Sequence, residues 1–202
     1  MSNYGKLSQK AGEVMPITNY QLISDRHVDQ RLQHTQDQLY AALLANFEAG
    51  TPFDAVRVTQ LCRQAHVARQ TFYRHYGSIG EIVEVMSVRR LYQFLEQLTK
   101  LTDIKTEGPR RAVAALVANK QTLQLIFWSR TTETVVQYLT GEILRVLSEQ
   151  ENETLHQPML AEMYARNLLN FGQLMLKFPQ LSFGELQPLF QKTVPSLASI
   201  FG

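Results

Sequence analysis

The chain has 202 residues, 45% hydrophobic and 19% charged, a composition that suits a folded protein and excludes a disordered or fibrous one. A net charge of +2 with a pI near 8.7 is too mild to argue for a polyanionic partner by itself, so any such case rests on local clustering. Cys62 is the single cysteine; it excludes an internal disulfide framework, fits a reducing cytosol and suits a small buried hydrophobe.

Residues 1–28, with Gly5, Gly12 and the Met15-Pro16 pair, are weakly patterned and read as a flexible extension. They lack the apolar core of a signal peptide, and no later run approaches the roughly 20 apolar residues that span a bilayer. The chain therefore reads as soluble and cytoplasmic, with no membrane association. A first helix is expected over about Asp29 to Glu48, where Leu39, Tyr40, Leu43, Leu44 and Phe47 share one stripe, and Gly50 and Pro52 end it. Val58 to Ala65 is a short second helix, with Val58, Leu61, Cys62 and Ala65 at i, i+3, i+4 and i+7. After the turn His66-Val67-Ala68, a third helix of about two turns begins near Arg69. Phe72 and Tyr76 must share its buried side, so at about 100° per residue Gln70 and Arg74 lie opposite, with Thr71 and Tyr73 at the flanks. Ser78 and Glu81 have capping-box spacing for a fourth helix.

That helix continues through Ile82, Val83, Met86, Leu91, Phe94, Leu95 and Leu98, and Gly108-Pro109 is expected to break it from the next segment. Val113, Leu116 and Val117 follow and lead into QTLQLIFWSR. Thr131 or Thr132 can cap a helix carrying Val135, Val136, Leu139, Ile143, Leu144 and Leu147, and residues 148–154 read as a loop. In 159–178, Leu160, Tyr164, Leu168, Phe171 and Met175 form one stripe that Met159, Met163, Leu169 and Leu176 broaden. A helix apolar on more than one side needs two partners, the domain core and a further surface such as a second subunit. Ser182 and Glu185 open a last helix through Phe183, Leu186, Leu189, Phe190, Val194, Leu197, Ile200 and Phe201, which Pro188 and Pro195 should kink or interrupt. No strand pattern emerges, so the fold class is all-α, with about nine helices.

Local charge is sharper than global charge. Between Asp54 and Glu81 there is no acid, while Arg57, Arg63, His66, Arg69, Arg74 and His75 all fall in the interval. Arginine carries a rigid fork of donors matched to phosphate oxygens and to guanine O6 and N7, and glutamine pairs with adenine in the same groove. A two-turn helix presenting these types is what a major groove about 12 Å wide admits. The bland alternative is a solvated charged face.

FDAVRVTQLCRQAHVARQTFYRHYGSIGEI, residues 53–82, resembles the DNA-binding domain of the TetR/AcrR family of bacterial transcription regulators. With the upstream helix it is most similar to the branch that includes dihydroxyacetone-kinase regulators. The resemblance covers about 29–90; the C-terminal half contributes a compatible helical pattern. It implies a helix-turn-helix DNA-binding domain at 29–90 and a regulatory, dimerisation domain at 91–202. It also implies that the third helix enters the major groove: Arg69 and Gln70 at base edges, Thr71 and Tyr73 at bases or phosphates, His75 at a phosphate, Thr59 at a further groove contact and Arg57 at the backbone beside it. Arg74 joins them from the helical wheel. The turn glycine of the family is His66 here, in a left-handed position costlier for histidine. A lysine frequent at the start of the fourth helix is Ile79, which removes one phosphate anchor and about 0.9 from the salt slope of binding.

The resemblance further implies a homodimer through the last two long helices on an inverted-repeat operator, acting as a repressor released by a small-molecule or protein effector. Phe94, Phe127, Trp128, Tyr138 and Tyr164 are candidates to line an effector pocket, their alternative role being ordinary core. The five histidines are dispersed, and no metal-ligand spacing, phosphate-binding glycine loop or nucleophile elbow occurs. The chain is therefore expected to be no enzyme and to need no cofactor or metal. A helical scaffold whose helix-turn-helix makes protein contacts is the alternative function.

Overall fold

A computed structural model of the chain describes residues 30–99, 104–148 and 156–194. The extension 1–28, the loop 149–154 and the segment from Pro195 onward lie outside the described residues. Among the described residues the fold is all-α: α1 (Gln30–Glu48), a 3-10 turn (Phe53–Ala55), α2 (Val58–Gln64), α3 (Arg69–His75), α4 (Ile79–Thr99), α5 (Ile104–Ala118), α6 (Lys120–Ser129), α7 (Thr132–Ser148), α8 (Gln157–Lys177) and α9 (Phe183–Thr193). The chain divides into two compact units, with the boundary between Met86 and Ser87 inside α4.

In the first unit α1 packs on α2 and α2 on α3. Leu39 and Leu43 of α1, Leu61 and Cys62 of α2, Phe72 of α3 and Ile82 and Val83 of α4 are buried. Burying a side chain of the size of leucine or phenylalanine contributes about 1.5–3 kcal/mol, so these residues dominate the unit's stability. One polar tie accompanies them: buried Asn46 donates from Nδ2 to the Ala42 carbonyl at 2.8 Å and to Gln64 Oε1 at 2.7 Å, linking α1 to α2.

Two helix ends in this unit share one device. Beyond α1, Gly50 has φ 71°, its N–H donates to the Phe47 carbonyl at 2.9 Å, and Thr51 N–H donates to the Asn46 carbonyl at 3.0 Å. Beyond α2, His66 has φ 53°, its N–H donates to the Arg63 carbonyl at 3.3 Å, and Val67 N–H donates to the Cys62 carbonyl at 2.9 Å. Each is a Schellman motif, which satisfies the last carbonyls and turns the chain back. Glycine meets the left-handed requirement at one turn, histidine at the other.

α4 opens with Glu81 N–H donating to Ser78 Oγ at 3.3 Å, the half of the capping box that the sequence predicts. The reciprocal half lands one residue earlier, where Glu81 Oε2 accepts the Gly77 N–H at 2.8 Å. A side chain at Gly77 would meet Glu81 Oε1 at 2.9 Å, so the glycine makes room for the carboxylate.

In the second unit α8 is the central element, packed against α7, α6 and α9, while α9 also packs on α5. Gly172 lets α8 come close, since a Cβ there would lie 3.2 Å from Leu123 Cδ1 and 3.4 Å from Leu116 Cδ2. Phe171 and Phe190 meet edge to face at 5.0 Å, joining α8 to α9. On the surface Arg166 of α8 forks onto Glu133 of α7 at 2.9 and 3.0 Å and also reaches Glu162. Exposed ion pairs of this type contribute at most about 1 kcal/mol.

The structure corrects several expectations. Gly108-Pro109 does not break the chain; both lie within α5, where proline in the second turn forfeits one hydrogen bond and keeps a helical φ. Asn119 instead separates α5 from α6, holding the Ala115 carbonyl with Nδ2 at 2.9 Å. Pro188 sits inside α9 without interrupting it, and it and Gly184, whose carbonyl loses its donor, are both exposed to water. α9 does end ahead of Pro195, as expected: Val194 is extended, the conformation that a following proline favours. Val117, expected on an apolar stripe, is 44% exposed.

The His66 turn makes a testable prediction. A left-handed conformation costs an L-residue about 1–2 kcal/mol, and exposed His66 has no side-chain hydrogen bond or ion pair among the described residues, so His66→Gly should stabilise the first unit by about 1 kcal/mol in urea denaturation. His66→Val should destabilise it; equal stability of the two variants would contradict the strain.

Candidate nucleic-acid interface

The α2–α3 pair is built so that packing decides which side chains remain outside. Phe72 is fully buried and Tyr76 nearly so, their rings 5.7 Å apart. With those two fixed inward, Arg69, Gln70, Tyr73 and Arg74 are exposed, and Thr71 and His75 are half-buried at the edges. The structure thus brings Arg69, Gln70, Tyr73 and Arg74 to the outer side of α3.

Thr59 is exposed near the start of α2, beside Gln60 and Arg63. Arg57 precedes α2 and is exposed, but its Nη1 donates to the Asp54 carbonyl at 2.7 Å. That contact closes the 3-10 turn and holds the guanidinium beside the first turn of α2. Arg63, Arg69 and Arg74 have no carboxylate partner among the described residues, consistent with the absence of acids between Asp54 and Glu81. Ile79 is the first residue of α4 and half-buried.

Within this surface Arg69 lies against the residue one turn further on. Its Cζ lies over the Tyr73 ring, 6.0 Å from the centroid, at the outer limit of a cation–π contact. The sequence reading of the flank missed this pair, although its i, i+4 spacing is visible in the chain. Burial pushes the Cys62 thiol up, partly offset by the charge of Arg69. His75 is shifted down from 6.5, first by burial and second by Arg74.

The five candidate effector residues fall on four helices of the second unit. Phe94, Tyr138 and Tyr164 are buried and Phe127 and Trp128 half-buried. Burial pushes the Tyr164 phenol far above its ordinary range. A recess of about 460 Å³ lies elsewhere, between α8 and α9, lined by Asn170, Phe171, Leu174, Met175, Leu186 and Leu189 among others, and by none of the five. Of its lining, Leu174, Phe178 and Leu189 are exposed, as are Met159 and Met163 of α8 and Phe183 of α9, a set the sequence only partly revealed. Leu174 and Phe178 went unread because neighbouring Met175 and Leu176 already satisfied the stripe.

Among the described residues no group of histidine, cysteine and carboxylate side chains is placed to hold a metal ion, and no helix is long and apolar enough to cross a membrane.

No family model matches the chain. Over 75 residues, 37% of its length, it is 24% identical to YxbF of Bacillus subtilis (strain 168), described as an uncharacterized HTH-type transcriptional regulator; the match spans 20% of that protein. The crystal structure of Lin0861 from Listeria innocua superposes with a TM-score of 0.76 at 28% identity, covering 82% of this chain and 92% of that one. The chain is therefore similar in part to an HTH-type transcriptional regulator and shares its fold with Lin0861.

His75 provides a check on the geometry. Its folded-state value is depressed, so the unfolded chain binds the proton first as pH falls; the stability linked to His75 is intact above 6.5 and is lost as pH falls toward the folded value. In an NMR titration His75 should titrate below 6.5, and Arg74→Ala should raise its pKa without restoring 6.5, because burial is the larger cause. A value at or above 6.5 in the unaltered protein would contradict the half-buried placement.

Proposed function

We propose that the chain is a TetR-type transcriptional regulator that binds DNA through α2 and α3 as a homodimer on an inverted repeat. The observation that carries this reading is the outer side of α3, where Arg69, Gln70, Tyr73 and Arg74 stand exposed over buried Phe72, within an interval free of acids. The partial similarity to an HTH-type regulator supports the same reading. Residues 29–90 form the DNA-binding domain in this proposal and 91–202 the regulatory and dimerisation domain. Arg69 and Gln70 read base edges, Thr71, Tyr73, Arg74 and His75 serve bases or phosphates, Thr59 adds a groove contact, and Arg57 reaches the sugar-phosphate backbone.

A short recognition helix reads few bases, so specificity calls for two heads about one helical turn apart. The exposed apolar side chains of α8 and α9 supply a surface for pairing two copies: Met159, Met163, Leu174, Phe178, Phe183 and Leu189. Such a patch is what remains when a helix has faces for two partners. The regulator acts as a repressor, and an effector that binds one of two dimer conformations better releases it. Phe94, Phe127, Trp128, Tyr138 and Tyr164 remain the candidates for sensing a small-molecule effector, and a protein effector is the other form the signal takes in this proposal. The protein has no catalytic role, needs no cofactor and works in the cytoplasm.

The test is selection of duplexes from a randomised pool with the purified protein, followed by affinity measurements on the enriched sequence. An inverted repeat is expected, with Arg69→Ala and Gln70→Ala each losing roughly 5- to 150-fold in base discrimination, the 1–3 kcal/mol of a bidentate contact. Folded variants that bind as tightly and as selectively as the unaltered protein would favour a scaffold whose helix-turn-helix contacts protein. Leu174→Glu, at an exposed position, should yield a folded monomer in sedimentation and weaken duplex binding; an unchanged dimer would remove α8 from the interface.

A further inference from the structure

Three side chains on α3 form a short stack that runs from the core to the surface. Phe72 is fully buried, and the Tyr73 ring meets it edge to face, with centroids 5.2 Å apart and planes at 90°. Tyr73 itself is 55% exposed, so its ring is fixed on one side by the core and open on the other. Over the ring sits the Arg69 guanidinium, its Cζ 6.0 Å from the centroid. Residues 69 and 73 are one turn apart, which places them on the same stretch of helix surface.

We infer that Tyr73 is a positioning residue for Arg69, holding its guanidinium ready for guanine in the major groove. The inference rests on the proposed DNA reading and assigns the base and the division of labour within it. An arginine on an open helix face samples many rotamers and loses that freedom on binding. A guanidinium above an aromatic face keeps its in-plane N–H donors available, and these match guanine O6 and N7 as a fork. No carboxylate among the described residues competes for Arg69. The ring of Tyr73 is therefore the part that acts through Arg69, while its hydroxyl is dispensable for that purpose. Buried Phe72 gives the arrangement its fixed end.

The experiment compares Tyr73→Phe, Tyr73→Leu and Arg69→Ala with the unaltered protein. Probes are the duplex enriched from a randomised pool and versions of it with each guanine replaced. The second readout needs no DNA: the ring-current shift of the Arg69 δ-protons in the free protein. Tyr73→Phe should keep both the shift and the guanine preference at the position Arg69 reads, whatever overall duplex affinity is lost with the hydroxyl. Tyr73→Leu should lose the shift and about two- to fivefold of the preference, the range of an exposed cation–π contact. Arg69→Ala should abolish preference at that position. Preference retained in Tyr73→Leu, or lost equally in Tyr73→Phe, overturns the inference; the second result would assign the effect to the hydroxyl. If Arg69→Ala leaves every guanine preference intact while the duplex still binds, the inference fails and DNA binding stands. If the unaltered protein enriches no duplex, the DNA reading fails and takes the inference with it.

Discussion

The 2.9 Å hydrogen bond from Val67 N–H to the Cys62 carbonyl is the constraint on which the first unit depends. It closes α2 only if His66 adopts φ 53°, and it then reverses the chain within three residues so that α3 starts at Arg69. Because the turn is so short, the rotational phase of α3 relative to α2 is set by the turn and by two anchors, Phe72 and, at its C-terminal end, Tyr76. Everything exposed on α3 follows from that phase. Had the turn been longer, the same seven residues could have buried Tyr73 and turned Phe72 out.

The second unit obeys a different constraint. α8 packs against α6, α7 and α9, and Gly172 sits where a methyl group would press on Leu123 of α6 and Leu116 of α5. Yet the same helix leaves Met159, Met163 and Leu174 exposed. The unit thus combines a packed interior with exposed apolar side chains on the same helix. Surface charge contributes little to its stability, since the Arg166 cluster with Glu133 and Glu162 is solvent-exposed and screened.

Periodicity made most of the helices legible, because a stripe such as Leu39, Tyr40 and Leu43 has only one buried solution. It also separated Phe72 and Tyr76 from Arg69, Gln70 and Arg74 within α3. Proline misled it. Pro109 and Pro188 look like breaks in a sequence, but within a helix each costs a single hydrogen bond, and at Pro188 the carbonyl that loses its donor is open to water. α4 ends at Thr99 and α5 begins at Ile104, ahead of Gly108-Pro109; α5 and α6 meet at Asn119, whose side chain holds the Ala115 carbonyl; and α9 ends at Thr193, ahead of Pro195, as that proline led one to expect. At the candidate site, residue types and spacing were readable, whereas the Arg69–Tyr73 stack was not, because spacing does not tell which rotamers two exposed side chains choose. The recess between α8 and α9 was also out of reach, for a void depends on how two helices cross.

Amide hydrogen exchange of the whole chain, with and without the duplex it enriches from a randomised pool, tests whether α2 and α3 are the surface that meets DNA. Slowed exchange concentrated in 57–60 and 69–75 is the predicted result, since these backbone segments would be covered by DNA. Unchanged exchange there, or protection confined to α8 and α9, would contradict the account.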